Sequence, residues 1–96
     1  MKNKVVYKYP LVIGDNGTWV PQGEVVLIDV QGGTITAWVL QDRDERNTQK
    51  LMVVGTGWEV PQASPGVHAH VGSVISGIFV WHVFVAGYRL LRSDLP

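Results

Sequence analysis

A chain of 96 residues holds one domain and excludes a two-domain enzyme. At this size about 64% of the unfolded surface is buried on folding, enough for one modest core and too little for a deep pocket within one subunit. Eight basic residues balance eight acidic ones, so the net positive field of a typical nucleic-acid binder is missing, while zero net charge favours self-association.

The absence of cysteine excludes disulfides, a thiol nucleophile, iron–sulfur clusters and Cys-ligated zinc, and fits a cytoplasmic protein. The first residues, MKNKVVYKYP, lack the continuous apolar stretch of a secretory signal. The longest apolar-rich run, Gly77 to Leu91, contains His82, Tyr88 and Arg89 and is too short and too polar to span a membrane. Val and Ile number 22 against 11 for Leu and Ala. β-branched side chains suit a pleated sheet and lose rotamer freedom in a helix. The expected fold is therefore all-β or nearly so: a single small antiparallel sandwich or barrel-like domain, with its core in residues 4–85 and a C-terminal extension over 86–96.

Taken in chain order, Lys4 to Tyr9 reads as a strand stopped by Pro10, and Gly14-Asp15-Asn16-Gly17 as a turn. Thr18 to Val20 forms a short strand ending at Pro21. Glu24 to Val30 and Thr34 to Leu40 flank Gln31-Gly32-Gly33, a strong hairpin signal. The second arm is apolar on both faces toward its middle, as in a sheet covered on both sides. Gln41 to Gln49 carries five of the sixteen charges and reads as a solvated loop. Lys50 to Val54 resumes as a strand, ending at the turn Gly55-Thr56-Gly57. Trp58 to Gly66, with two prolines, reads as a loop with room for one helical turn. Val67 to Ile75 and Ile78 to Val85 are strands about a turn at Ser76-Gly77. Ala86-Gly87 is expected to break the second, leaving a short tail from Tyr88 to Leu91.

Few residues announce chemistry. His68 and His70, two apart in a strand, share one face and could chelate a metal with His82. With no carboxylate motif beside them, no metal site is expected. The Gly55-Thr56-Gly57 turn offers backbone amides that could cradle a phosphate or carboxylate, with Arg43, Arg46 and Lys50 nearby in sequence. It is not a P-loop. Four tryptophans are many for this length. Trp19, Trp38, Trp58 and Trp81 are expected in the core or at a subunit interface. Trp58, in a Gly/Pro-rich loop, has stacking on a base or sugar as its functional alternative. Trp81 and His82 should point to opposite faces of one strand, with a structural role favoured for His82. The carboxylates are isolated and no GxSxG elbow signals a nucleophile.

His70-Val71-Gly72-Ser73-Val74 followed by Gly77-Ile78-Phe79-Val80-Trp81-His82-Val83-Phe84 resembles the ending of a small uncharacterised family common in phages and prophages, whose members close on a YxGTVxxGxxVWHVF-like pattern. Trp19-Val20-Pro21-Gln22-Gly23 is similar to that family's apolar-Pro-x-Gly lead-in to the first hairpin. Trp38 to Asp42 is similar to its WxxxD strand end, and Val54-Gly55-Thr56-Gly57 to its strand-to-GTG turn. The resemblance covers most of residues 5–84. His68 and His70 depart from the pattern, and the tail from Gly87 to Pro96 runs beyond the family's usual end. What the resemblance implies is a phage setting, in the host cell cytosol. Small phage proteins of this size often neutralise host defences, several by sequestering nucleotide signals in pockets built between subunits.

The leading expectation is a non-enzymatic, cofactor-free homo-oligomer that captures a small nucleotide-like or anionic ligand, with neither membrane nor nucleic acid as partner. Its site is placed at Arg43, Arg46, Lys50, Gly55, Thr56, Gly57, Trp58 and His82. The alternatives are an inhibitor or adaptor that binds a host protein through a β edge or apolar patch, and a small histidine-dependent hydrolase or lyase.

Overall fold

The computed structural model describes residues 3–60 and 69–91. The domain is all-β. Seven strands, β1 (Lys4–Pro10), β2 (Gly14–Pro21), β3 (Glu24–Gln31), β4 (Thr34–Asp42), β5 (Thr48–Gly55), β6 (Ala69–Ser76) and β7 (Phe79–Arg89), form two antiparallel sheets. One has the order β1-β4-β3, the other β2-β5-β7-β6. The chain changes sheet between β1 and β2, again before β3, and again between β4 and β5.

Alternation fills the space between the sheets. Ile28, Ile35, Ala37 and Val39 of the first sheet meet Val20, Leu51, Val53, Val74, Val83 and Val85 of the second. Leu11, in the β1–β2 link, joins them and donates its amide to Ile35 O at 2.8 Å. β3 and β6 also touch, with Ile28 lying against Gly72. Met52 and Val54 alternate with the core residues Leu51 and Val53 and are buried as well, so β5 is covered on both faces. Every buried side chain of at least valine size removed from water is worth roughly 1.5–3 kcal/mol, and this apolar set is what holds the two layers together.

At the polar end of the core the buried amides are bonded, while the buried Thr48 hydroxyl has no hydrogen-bond partner among the described residues. Tyr9 Oη donates to buried Gln41 at 2.5 Å. Buried Gln49 donates to Pro21 O and Gly23 O at 3.3 and 3.1 Å, tying the β2–β3 link to β5. Satisfied amides of this kind are tolerated inside because each lost water partner is replaced.

The expected hairpin is present, with β3 and β4 joined by a two-residue turn whose glycines both have positive φ, 59° at Gly32 and 79° at Gly33, the type I′ geometry that follows strand twist. Several expectations need correction. Gly14 to Gly17 is not a turn but the first half of β2, where the register against β5 shifts. β4 and β5 extend into the charged segment, leaving only residues 43–47 as the loop. Ala86-Gly87 does not break the last strand: the register slips by one residue there and β7 continues to Arg89, paired with Thr48. The sheet therefore includes the first residues of the expected extension. Nor are the tryptophans fully buried core residues, although Trp81 packs against the core in part. Trp19 lies on the outer face with the Arg89 guanidinium 4.1 Å above its ring, a cation–π contact. Residues 61–68, including His68 and most of the expected Pro-rich loop, lie outside the described residues.

Candidate functional site

β7 runs between β5 and β6, and its two faces carry different chemistry. Trp81 pairs with Gly55 on one side and Val74 on the other and packs toward the core. Its neighbour His82 pairs with Val54 and Ser73 and, by alternation, faces outward. The expected division of this pair between the two faces is what the sheet shows.

On the inner side, at the open end of the sandwich, the rings gather. Trp58 stands edge-on to Trp81 with centroids 5.4 Å apart, and Phe79 stacks on Trp81 at 5.7 Å and 27°. Trp58 is 50% exposed, which corrects the expectation that it packs in the core. Its ring folds back over Gly55, where an added Cβ would come within 3.0 Å of Trp58 Cε2. A cleft of about 360 Å³ opens here, walled by Trp58, Phe79, Val80 and Trp81 with Thr56 on its rim. A second cleft of about 500 Å³ lies at the mouth between the sheets, lined by Leu11, Val12, Ile13, Ile35 and the other side of the Phe79–Trp81 wall.

On the outer side a chain of hydrogen bonds runs from β6 across β7 to the turn that follows β5. His70 Nε2 is 2.8 Å from Ser73 Oγ, Ser73 Oγ 2.7 Å from His82 Nδ1, and His82 Nε2 2.8 Å from Thr56 Oγ1. Thr56 Oγ1 also donates to Val80 O at 3.4 Å. That last bond orders the rest. If Thr56 gives its proton to the carbonyl, it accepts from His82 Nε2–H. Nδ1 of the neutral ring is then bare and accepts from Ser73, whose oxygen accepts from His70 Nε2–H. Thr56 joins this chain to the aromatic cleft.

The structure thus brings Gly55, Thr56, Gly57, Trp58 and His82 to one end of the second sheet. It does not bring the expected basic residues there. Arg43 and Arg46 precede β5 and the glycine turn follows it, so a strand of eight residues, roughly 23 Å at 3.3 Å per residue, separates them. Lys50 is on β5 beside Trp19 and Gly17, four residues short of Val54. Nor is the turn an open cradle of amides: Thr56 N–H donates to Val80 O and Trp58 N–H to Gly55 O, at 3.2 and 3.1 Å. Two donors an anion would need are already engaged.

Ser73, Phe79 and Trp81 belong to this site and were not assigned to it from sequence. Among the described residues, no group of three or more His, Cys, Asp or Glu side chains is arranged to hold a metal ion, and no helix is long and apolar enough to cross a membrane.

No curated protein and no solved structure matches the chain. A family profile does, over residues 2–89, which is most of the length and takes in every element just described. By that match the chain belongs to the DUF7352 family, a domain of unknown function.

Proposed function

We propose that the protein captures a small nucleotide-like ligand without transforming it, holding the ligand's ring in the Trp58–Phe79–Trp81 cleft. The observation that carries this reading is the half-exposed Trp58 ring beside a stacked Phe79–Trp81 pair, with a hydrogen-bonding hydroxyl on the same rim. Aromatic faces bind bases through stacking whatever the base's edge pattern. The Thr56 hydroxyl, accepting from His82, has its proton to offer. A ligand oxygen or ring nitrogen at the rim can take that proton in place of the long 3.4 Å bond to Val80 O. Within one chain Arg43, Arg46 and Lys50 are remote or turned aside, so the cleft itself offers stacking and the Thr56 hydroxyl but no basic charge. In the phage setting implied by the sequence resemblance, such capture would withdraw a nucleotide signal from a host defence.

The test is a titration of the purified protein with the four nucleoside monophosphates, read by calorimetry, for the wild type and Trp58→Ala. The reading expects saturable binding that weakens about 5- to 150-fold in the variant, the worth of one stacking contact. Binding indifferent to Trp58 in a folded variant refutes it. A second reading, a protein-binding inhibitor, is favoured by one observation: Ile75, Ile78 and Phe79 are all exposed about the β6–β7 turn.

A further inference from the structure

We infer that the open end of the sandwich pairs with a second copy of this chain, each copy seating the tip of its β6–β7 hairpin in the other's inter-sheet cleft. Knob and hole are adjacent on the same chain. The knob is Ile78, at the two-residue turn between Ser76 and Phe79, 91% exposed and thus held out from the fold. The hole is the cleft of about 500 Å³ lined by Leu11, Val12, Ile13 and Phe79. A surface that carries both halves of a contact is self-complementary, and a two-fold axis satisfies both at once.

Charge and area agree with that occupant. Neither cleft has a charged residue in its lining, and the chain has no net charge to repel a copy of itself. Val12, Ile13, Trp58, Ile78 and Phe79 together expose on the order of 600 Å², so the two partners have at most roughly 1,200 Å² to bury through them, the low end of specific interfaces. An apolar patch of this size stands at the upper end of what monomers expose, and such patches are often functional.

Pairing in this way sets Val12 and Ile13 of the partner subunit against the hairpin whose Ile78 and Phe79 wall the Trp58 cleft, so the partner would roof that cleft. This last role rests on the ligand reading above; the pairing itself does not.

The full chain is examined ligand-free by light scattering at tens of micromolar. Wild type is expected at twice the 10.6 kDa chain mass. Ile78→Asp, at a position too exposed to threaten folding, is expected to weaken the dimer roughly 10- to 100-fold. The chain has no cysteine of its own, so Ile78→Cys and Val12→Cys proteins can be mixed and mildly oxidised without background. The mixture should give a disulfide-linked pair of one chain of each kind. A monomer in the wild type, a dimer unaffected by Ile78→Asp, or a mixture that fails to cross-link overturns the inference. None of these outcomes depends on whether a nucleotide binds.

Discussion

Thr56 Oγ1 and His82 Nε2 lie 2.8 Å apart although 26 residues separate them in the chain. The contact exists because β5 and β7 are antiparallel neighbours with Val54 paired to His82, and Thr56, two residues beyond Val54 on the same face, reaches the ring diagonally. A surface hydroxyl–imidazole pair stabilises a fold modestly, by about 0.5–1.5 kcal/mol. Its consequence is direction. Nitrogen-15 NMR should find neutral His82 with its proton on Nε2. Thr56→Val removes the acceptor for that proton and Ser73→Ala the donor to Nδ1, and each should relax the preference. A wild-type ring protonated on Nδ1 would reverse the proposed sense of the whole chain.

Trp58→Ala separates packing from recognition. Half of the ring is already in water, so its loss should lower stability by about 1–2.5 kcal/mol from the area and edge contact forfeited. A fully buried Trp→Ala costs about 3–5. A thermal or denaturant melt makes the comparison. A loss in the higher range would return Trp58 to the core.

The two glycines of the turn serve different ends. An alanine at 55 would press its Cβ to 3.0 Å from Trp58 and 3.2 Å from Trp81, so Gly55→Ala should cost about 1–3 kcal/mol through overpacking and shift the emission of Trp58. At 57 there is open space but φ is 89°, so Gly57→Ala should cost about 1–2 kcal/mol from backbone strain alone. Its tryptophan emission should stay as in the wild type. Equal spectral changes in both variants would contradict this division.

Tyr9 makes stability fall in alkali. Burial raises its phenol above the ordinary value of 10.0. A raised folded pKa gives stability that is whole below the unfolded value and is lost as pH climbs through the folded one. Melts taken from neutral pH to beyond 10 should therefore decline more steeply for wild type than for Tyr9→Phe. At neutral pH the variant should be weaker by about 1–3 kcal/mol, because buried Gln41 loses its donor. Parallel pH curves would assign the alkaline loss to other groups.

Much of this molecule is legible in its sequence. Val/Ile excess and turn residues mark all seven strands, because β-branched alternation and glycine turns act locally. The ends of β2, β4 and β7 are misjudged where glycines or charges sit inside paired strands: a bulge absorbs Ala86-Gly87, and pairing with Lys4, bonded to Asp42 at 3.2 Å, carries β4 into the charged segment. The tryptophans mislead because aliphatic side chains fill the space between the sheets, which leaves Trp19 on an outer face and Trp58 half exposed. The hydrogen-bonded chain had one usable signal. A two-residue turn at Gly77-Ile78 pairs Ser76 with Phe79 and, three residues back along each arm, Ser73 with His82. Nothing comparable marks the approach of Thr56, which depends on β5 and β7 being neighbours. Nearness in sequence suggested that Arg43 and Arg46 serve the glycine turn, and the length of β5 is what keeps them from it.

The most direct test of the proposed function is native mass spectrometry of the protein purified from infected or defence-active cells, run beside Trp58→Ala prepared in the same way. The account predicts a small-molecule adduct on the wild type that is lost from the folded variant. A wild type without an adduct, an adduct retained equally by Trp58→Ala, or a co-purified host protein in its place would contradict it.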